Sequence, residues 1–115
     1  ALGVAQMESL PNYIKSKRDL AIKYQNWGID NEYTFVSESL NSQSNYWLNC
    51  VITNNKKNRD LMLKVTNESN IMTRPTWTPM HKLSMFQHCQ RTDMKNTESL
   101  ANRIVNVPSS PILIN

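Results

Sequence analysis

Residues 74–81 bring together three side chains that could recognise a polar or anionic ligand. Arg74 carries a planar guanidinium suited to phosphate or carboxylate, Trp77 offers a flat apolar face, and His81 can donate or accept a proton near neutral pH. Two prolines restrict the backbone here, so these side chains are held in place before a ligand arrives. Arg74, Trp77 and His81 are therefore the candidate binding residues. The alternative is a packed connection in which Trp77 fills a gap in the core and Arg74 pairs with an acid.

Other reactive arrangements are weak in this sequence. His81, His88, Cys50 and Cys89 supply metal-ligating atoms, but no Cys-x-x-Cys and no histidine pair four residues apart is present, so we predict no metal site. Cys50 lies in an alternating strand pattern, where a buried and inert thiol is expected. With only two glycines, the chain has no glycine-rich phosphate loop. We assign no catalytic residue.

Composition narrows the class of protein further. The 115 residues suit one small globular domain, with 39% hydrophobic and 19% charged residues. The net charge is +4, but the small basic clusters at 15–18 and 56–59 stand beside acidic residues such as Asp19 and Asp60, which favours solvated helix faces over a nucleic-acid groove. No apolar run is long enough to span a membrane and no leader pattern opens the chain. Two cysteines favour a reducing, cytoplasmic setting over a disulfide framework.

The first third of the chain has helical periodicity. Residues 1–8 are prone to helix without a preceding cap, as if the chain were entered inside a helix. Pro11 predicts a kink or the first turn of a second helix. An amphipathic stripe then continues to Trp27, and Gly28 is expected to end the helix.

Three short strands and two further helices are predicted beyond this point. Strands are expected at 33–38, 46–53 and 70–73, the second with Cys50 and Ile52 on its apolar face and the third broken by Pro75.

Asn54 or Asn55 is expected to cap a helix that runs to about Asn67, with Leu61, Met62 and Val65 facing inward. Asn96 is expected to cap a last short helix, and residues 105–108 to return as an extended segment. This order predicts an α+β fold, a short antiparallel sheet of about three strands with helices packed on it.

Six segments, in the same order along the chain, resemble the C-terminal small domain of DegT/DnrJ-type sugar aminotransferases. These enzymes use pyridoxal phosphate (PLP) to aminate keto-sugars attached to a nucleotide. The most specific segment is 71–83, and the closing Pro-Ser-Ser at 108–110 is typical of the family. The segments are 1–8, 17–24, 45–48, 59–63, 71–83 and 103–110.

The resemblance implies that residues 1–115 form the small domain of a fold-type-I aminotransferase. It implies a nucleotide-sugar substrate, an amino-acid amino donor and a homodimer, with PLP and its lysine on a large domain absent from this chain. Arg74 would then contact phosphate or a sugar hydroxyl, Trp77 would wall the sugar, and His81 would orient a polar group. The chain alone is expected to be inactive, with its complete enzyme serving amino-sugar synthesis for surface glycans.

Two alternatives stay open at this point. One is a free-standing module that binds an anion or nucleotide through its basic residues and segment 74–81. The other is a structural oligomerisation domain.

Overall fold

A computed structural model describes residues 2–112 of the chain. The elements in order are helix α1 (Leu2–Asp30), strands β1 (Thr34–Phe35) and β2 (Asn49–Ile52), helix α2 (Lys56–Glu68), strand β3 (Arg74–Pro75), two 3-10 helices (Met80–Lys82 and Ser84–Phe86), helix α3 (Lys95–Ala101) and strand β4 (Ile104–Val107). They fall into two compact units. The first comprises residues 2–49 and 108–112, and the second comprises residues 50–107.

Helix α1 is a single element of 29 residues that contains Pro11 and extends two residues beyond Gly28. The prediction that Gly28 ends the helix is therefore wrong. Gly28 is buried because the chain after the helix folds back against it, with the Tyr33 amide donating to the Gly28 carbonyl at 2.8 Å. A Cβ atom at this position would lie 2.5 Å from the Tyr33 carbonyl oxygen and 2.8 Å from the Phe35 ring. The glycine thus serves a close approach and not a helix stop.

Aromatic rings hold β1 to the last turns of α1. Tyr24 stacks on Phe35 with ring centroids 5.2 Å apart, and Trp27 stacks on Tyr33 at 5.4 Å. Only Thr34–Phe35 forms a strand within the predicted range 33–38.

Two cations on α1 hold the irregular segment that leads towards β2. The Lys17 ammonium donates to the carbonyls of Tyr46 (3.4 Å), Trp47 (3.2 Å) and Ser109 (2.5 Å). Arg18 forms a two-point pair with Glu38, at 2.8 and 3.1 Å. These residues were predicted to lie on a solvated helix face, but both are half-buried and satisfy backbone or carboxylate acceptors.

In the second unit, β2, β4 and β3 lie side by side in that order. Strand β3 runs antiparallel to β4, with Arg74 opposite Asn106 and Pro75 opposite Val105. The third strand is therefore displaced from the predicted range 70–73 onto Arg74–Pro75. Proline is tolerated there because β3 is the last strand of the sheet, where an N–H group is not needed for pairing.

The core of this unit contains Val51 and Val105, which are almost completely buried. On β2 the buried side chains are Val51 and the following Thr53, whereas Cys50 and Ile52 are only half-buried. The predicted inward face of this strand was therefore the wrong one. Thr53 is accommodated inside because its hydroxyl donates to the Arg103 carbonyl at 2.9 Å.

Helix α2 begins as predicted, since the Asn55 side chain accepts from the Asn58 amide at 2.9 Å. Its inward face differs, because Leu61 and Val65 are more than half exposed while Met62 is half-buried. Helix α3 begins at Lys95 and is not capped by Asn96 as predicted.

Helix α2 packs on β3 and β4. The α+β fold with a short antiparallel sheet and packed helices is therefore confirmed.

Candidate functional site

His81 is the most firmly positioned of the three candidate residues. Its 3-10 helix starts directly after Pro79, and its side chain is 12% exposed. The imidazole Nε2 lies 2.8 Å from Glu98 Oε1, on α3, and the Lys82 ammonium lies 3.5 Å from the same oxygen. The hydrogen bond from His81 and the charge of Lys82 hold the pKa of Glu98 below its usual range. Glu98 is therefore an ionised acceptor that anchors the imidazole.

His81 also lines a cleft of about 530 Å³, which we call the His81 cleft. Its wall combines apolar side chains with hydrogen-bonding ones and one guanidinium, that of Arg91. The other lining residues are Met80, Phe86, Cys89, Gln90, Met94 and Thr97. This mixture suits a ligand with both apolar and polar surfaces. Sequence reasoning missed the residues of this wall beyond position 83, because 84–94 has neither periodicity nor a motif to single them out.

Arg74 lies on β3 and is exposed. Its guanidinium contacts the Met72 sulfur at 3.7 Å, and no carboxylate lies within ion-pair distance of it in the part of the chain that is described. The alternative in which Arg74 pairs with an acid is therefore wrong for the described residues.

Trp77 is 71% exposed, so it does not fill a gap in the core. Neither Trp77 nor Arg74 lines the His81 cleft. The structure therefore keeps all three candidates in one segment but gathers only His81 into this cavity. Between Arg74 and Trp77, the buried Thr76 hydroxyl oxygen has no hydrogen-bond partner among residues 2–112.

The cysteines occupy different environments. The Cys50 thiol is half-buried, lies 3.0 Å from Asn106 Oδ1, and has a pKa raised by burial. Cys89 is exposed. Within residues 2–112, no group of three or more His, Cys, Asp or Glu side chains could hold a metal ion. The helices described here include none with the length and apolar character needed to cross a bilayer.

Solved structures with the same fold are aminotransferases. The aminotransferase TlmJ of Streptoalloteichus hindustanus matches 98% of this chain and 30% of its own, with a TM-score of 0.83 and 20% identity. Helicobacter pylori PseC, an aminotransferase involved in the biosynthesis of pseudoaminic acid, matches 95% of this chain and 30% of its own, with a TM-score of 0.82 and 18% identity. At these identities the likeness defines the fold alone.

Sequence comparison then defines the family. All of residues 1–115 match the DegT/DnrJ/EryC1/StrS aminotransferase family, and the chain belongs to it. The GDP-perosamine synthase of Vibrio cholerae is 32% identical over 114 residues, and that of Escherichia coli O157:H7 is 29% identical over 116. These matches cover 96% and 100% of this chain but only 31% of each synthase. The family resemblance found in the residues is thereby confirmed.

Proposed function

We propose that this chain is the C-terminal small domain of a PLP-dependent aminotransferase that aminates a nucleotide-linked keto-sugar. The family match over the whole chain, together with 32% identity to a GDP-perosamine synthase three times as long, carries this proposal. The names of the two synthases favour a GDP-linked sugar as substrate. In this proposal the complete enzyme serves amino-sugar synthesis for surface glycans. An amino acid serves as amino donor, and the complete enzyme is a cytoplasmic homodimer.

In this proposal the small domain covers the substrate pocket, and segment 74–81 contributes contacts to it. Arg74 is suited to a phosphate or a sugar hydroxyl because its guanidinium is exposed and has no acidic partner among the described residues. The exposed indole of Trp77 forms one wall of the sugar site. The anchored imidazole of His81 orients a polar group of the substrate. None of these residues is assigned to the chemical step.

The His81 cleft does not fit the role of a PLP site. PLP supplies an electron sink and needs a lysine amine to hold it. No lysine lines the His81 cleft, and the Lys17 ammonium is engaged by three carbonyl oxygens. We therefore place PLP and its lysine on the remainder of the enzyme and derive no step through the cofactor here. The chain alone is expected to be inactive.

The decisive experiment compares PLP binding by this chain with that by the complete product of its gene. We expect the complete product to show the visible absorbance of lysine-bound PLP and to transfer an amino group to a GDP-linked keto-sugar, and the isolated chain to do neither. A complete product that binds no PLP contradicts the proposal. Nucleotide-sugar binding by the isolated chain without PLP would favour a free-standing binding module instead.

Variants of the complete enzyme test the three binding residues. We expect Arg74→Ala, Trp77→Ala and His81→Ala each to raise KM for the nucleotide sugar about tenfold with a smaller change in kcat, because they remove binding contacts. Lys64→Ala is the matched control, since Lys64 makes only an exposed contact with Glu68 at 3.9 Å. An unchanged KM in all three variants would contradict the proposal that segment 74–81 contacts the substrate.

A further inference from the structure

The arrangement of Glu98 and His81 has a consequence for the ligand that the His81 cleft accepts. We infer that Glu98 is a positioning residue, which fixes the proton of His81 on Nε2 so that Nδ1 accepts a hydrogen bond from a hydroxyl group of the sugar. This inference rests on the proposed function, because the sugar is that of the nucleotide-linked substrate.

The Glu98 carboxylate determines which ring nitrogen of His81 carries a proton. An ionised carboxylate has only acceptor atoms, so a ring nitrogen 2.8 Å from Glu98 Oε1 must donate. Nε2 therefore carries a proton. In a neutral imidazole the other nitrogen is then bare and can only accept.

The second ring nitrogen, Nδ1, has no hydrogen-bond partner among residues 2–112. The only hydrogen bond of the imidazole in that part of the chain is the one with Glu98. The imidazole lines the His81 cleft, where the apolar side chains of Met80 and Phe86 can cover the faces of a sugar ring.

A bare Nδ1 distinguishes between the chemical groups of a nucleotide sugar. A hydroxyl can donate to a bare nitrogen, whereas a fully ionised phosphate oxygen can only accept and would require a second proton on the imidazole. The Nε2–H tautomer therefore favours the sugar hydroxyls over the diphosphate as the partner of His81. The pair Glu98–His81 thus contributes to recognition of the sugar.

The proton assignment can be measured without activity. Long-range ¹H–¹⁵N spectra of the complete enzyme, labelled on histidine, distinguish a protonated from a bare ring nitrogen. The His81 signals are identified by their loss in His81→Gln. At alkaline pH, where an imidazole is neutral, we expect a bare Nδ1 in the unsubstituted enzyme and a mixture of tautomers in Glu98→Ala. Glu68→Ala, which removes an exposed carboxylate on α2, is expected to leave the His81 signals unchanged.

Binding experiments test the ligand group. We expect Glu98→Ala to weaken binding of the nucleotide sugar about three- to tenfold, to leave binding of the nucleoside diphosphate alone unchanged, and to add nothing in a His81→Ala background. A protonated Nδ1, unchanged nucleotide-sugar binding, or equal weakening for the nucleoside diphosphate overturns the inference and leaves the proposed function standing. Absence of any nucleotide-sugar binding by the unsubstituted enzyme overturns both.

Discussion

Gly28 illustrates how one missing side chain allows two segments to meet. Substitution by alanine places a methyl group 2.5 Å from the Tyr33 carbonyl oxygen and 2.8 Å from the Phe35 ring, which is closer than van der Waals contact permits. We expect Gly28→Ala to lower the free energy of unfolding by about 1–3 kcal/mol, since the backbone and the ring must shift. Urea denaturation of the two proteins measures this difference.

Gly3 provides the matched control, because it lies on the same helix and a Cβ atom there meets nothing within 4 Å. Gly3→Ala is expected to be neutral or to stabilise by up to about 1 kcal/mol through helix propensity alone. Equal effects of the two substitutions would contradict the contact described at Gly28.

The residue types of Arg74 and Trp77 allowed either a ligand-binding or a packing role. The exposed indole and the absence of a carboxylate near Arg74 among the described residues remove the packing alternative for both. The solvent exposure of the two side chains, which depends on the surrounding elements, decided between these roles.

At the scale of elements, an ion pair ties the irregular segment after β1 to helix α1. The Glu38 carboxylate accepts from Arg18 at 2.8 and 3.1 Å and from the Ser44 amide at 2.8 Å. These bonds, led by the one from Arg18, hold the pKa of Glu38 below its ordinary value.

This pKa shift predicts a pH dependence of stability. The lowered pKa in the folded chain means that Glu38 stabilises the fold above its ordinary pKa, and that this contribution disappears as the pH falls through the lowered value. We expect Glu38→Gln to reduce the melting temperature at neutral pH and to approach the unsubstituted chain once the pH falls below the lowered pKa of Glu38. A difference between the two proteins that is independent of pH would contradict this role.

At the scale of the whole molecule, the first turns of α1 expose a set of apolar side chains. Leu2, Val4 and Met7 are 78%, 66% and 65% exposed. Exposure of these apolar side chains to water is unfavourable. We therefore expect the isolated chain to bind a hydrophobic dye and to self-associate with increasing concentration.

Sedimentation of the isolated chain measures this association. The double substitution Val4→Lys and Met7→Lys is expected to reduce it, whereas Lys15→Glu and Lys23→Glu, exposed changes on the same helix, should not. In the complete enzyme, the proposed large domain would cover this surface. Dye binding of equal strength by the complete enzyme would contradict that arrangement.

The sequence alone determined the order of the helices, a cap at Asn54 or Asn55, the fold class and the family. These depend on local periodicity, a single side-chain hydrogen bond and segments preserved in order. It also singled out Arg74, Trp77 and His81 as candidate binding residues, through residue type and proline spacing. It did not predict which face of β2 is buried, since Thr53 enters the interior only because the Arg103 carbonyl, fifty residues away, accepts its hydroxyl.

The tertiary structure alone decided that Glu98 anchors His81 and that residues beyond position 83 complete the cleft around it. The partners of these contacts are far apart in the chain or lie in a segment without periodicity. A sequence pattern reports the preferences of neighbouring residues, whereas a hydrogen bond across seventeen positions exists only once the intervening chain has folded.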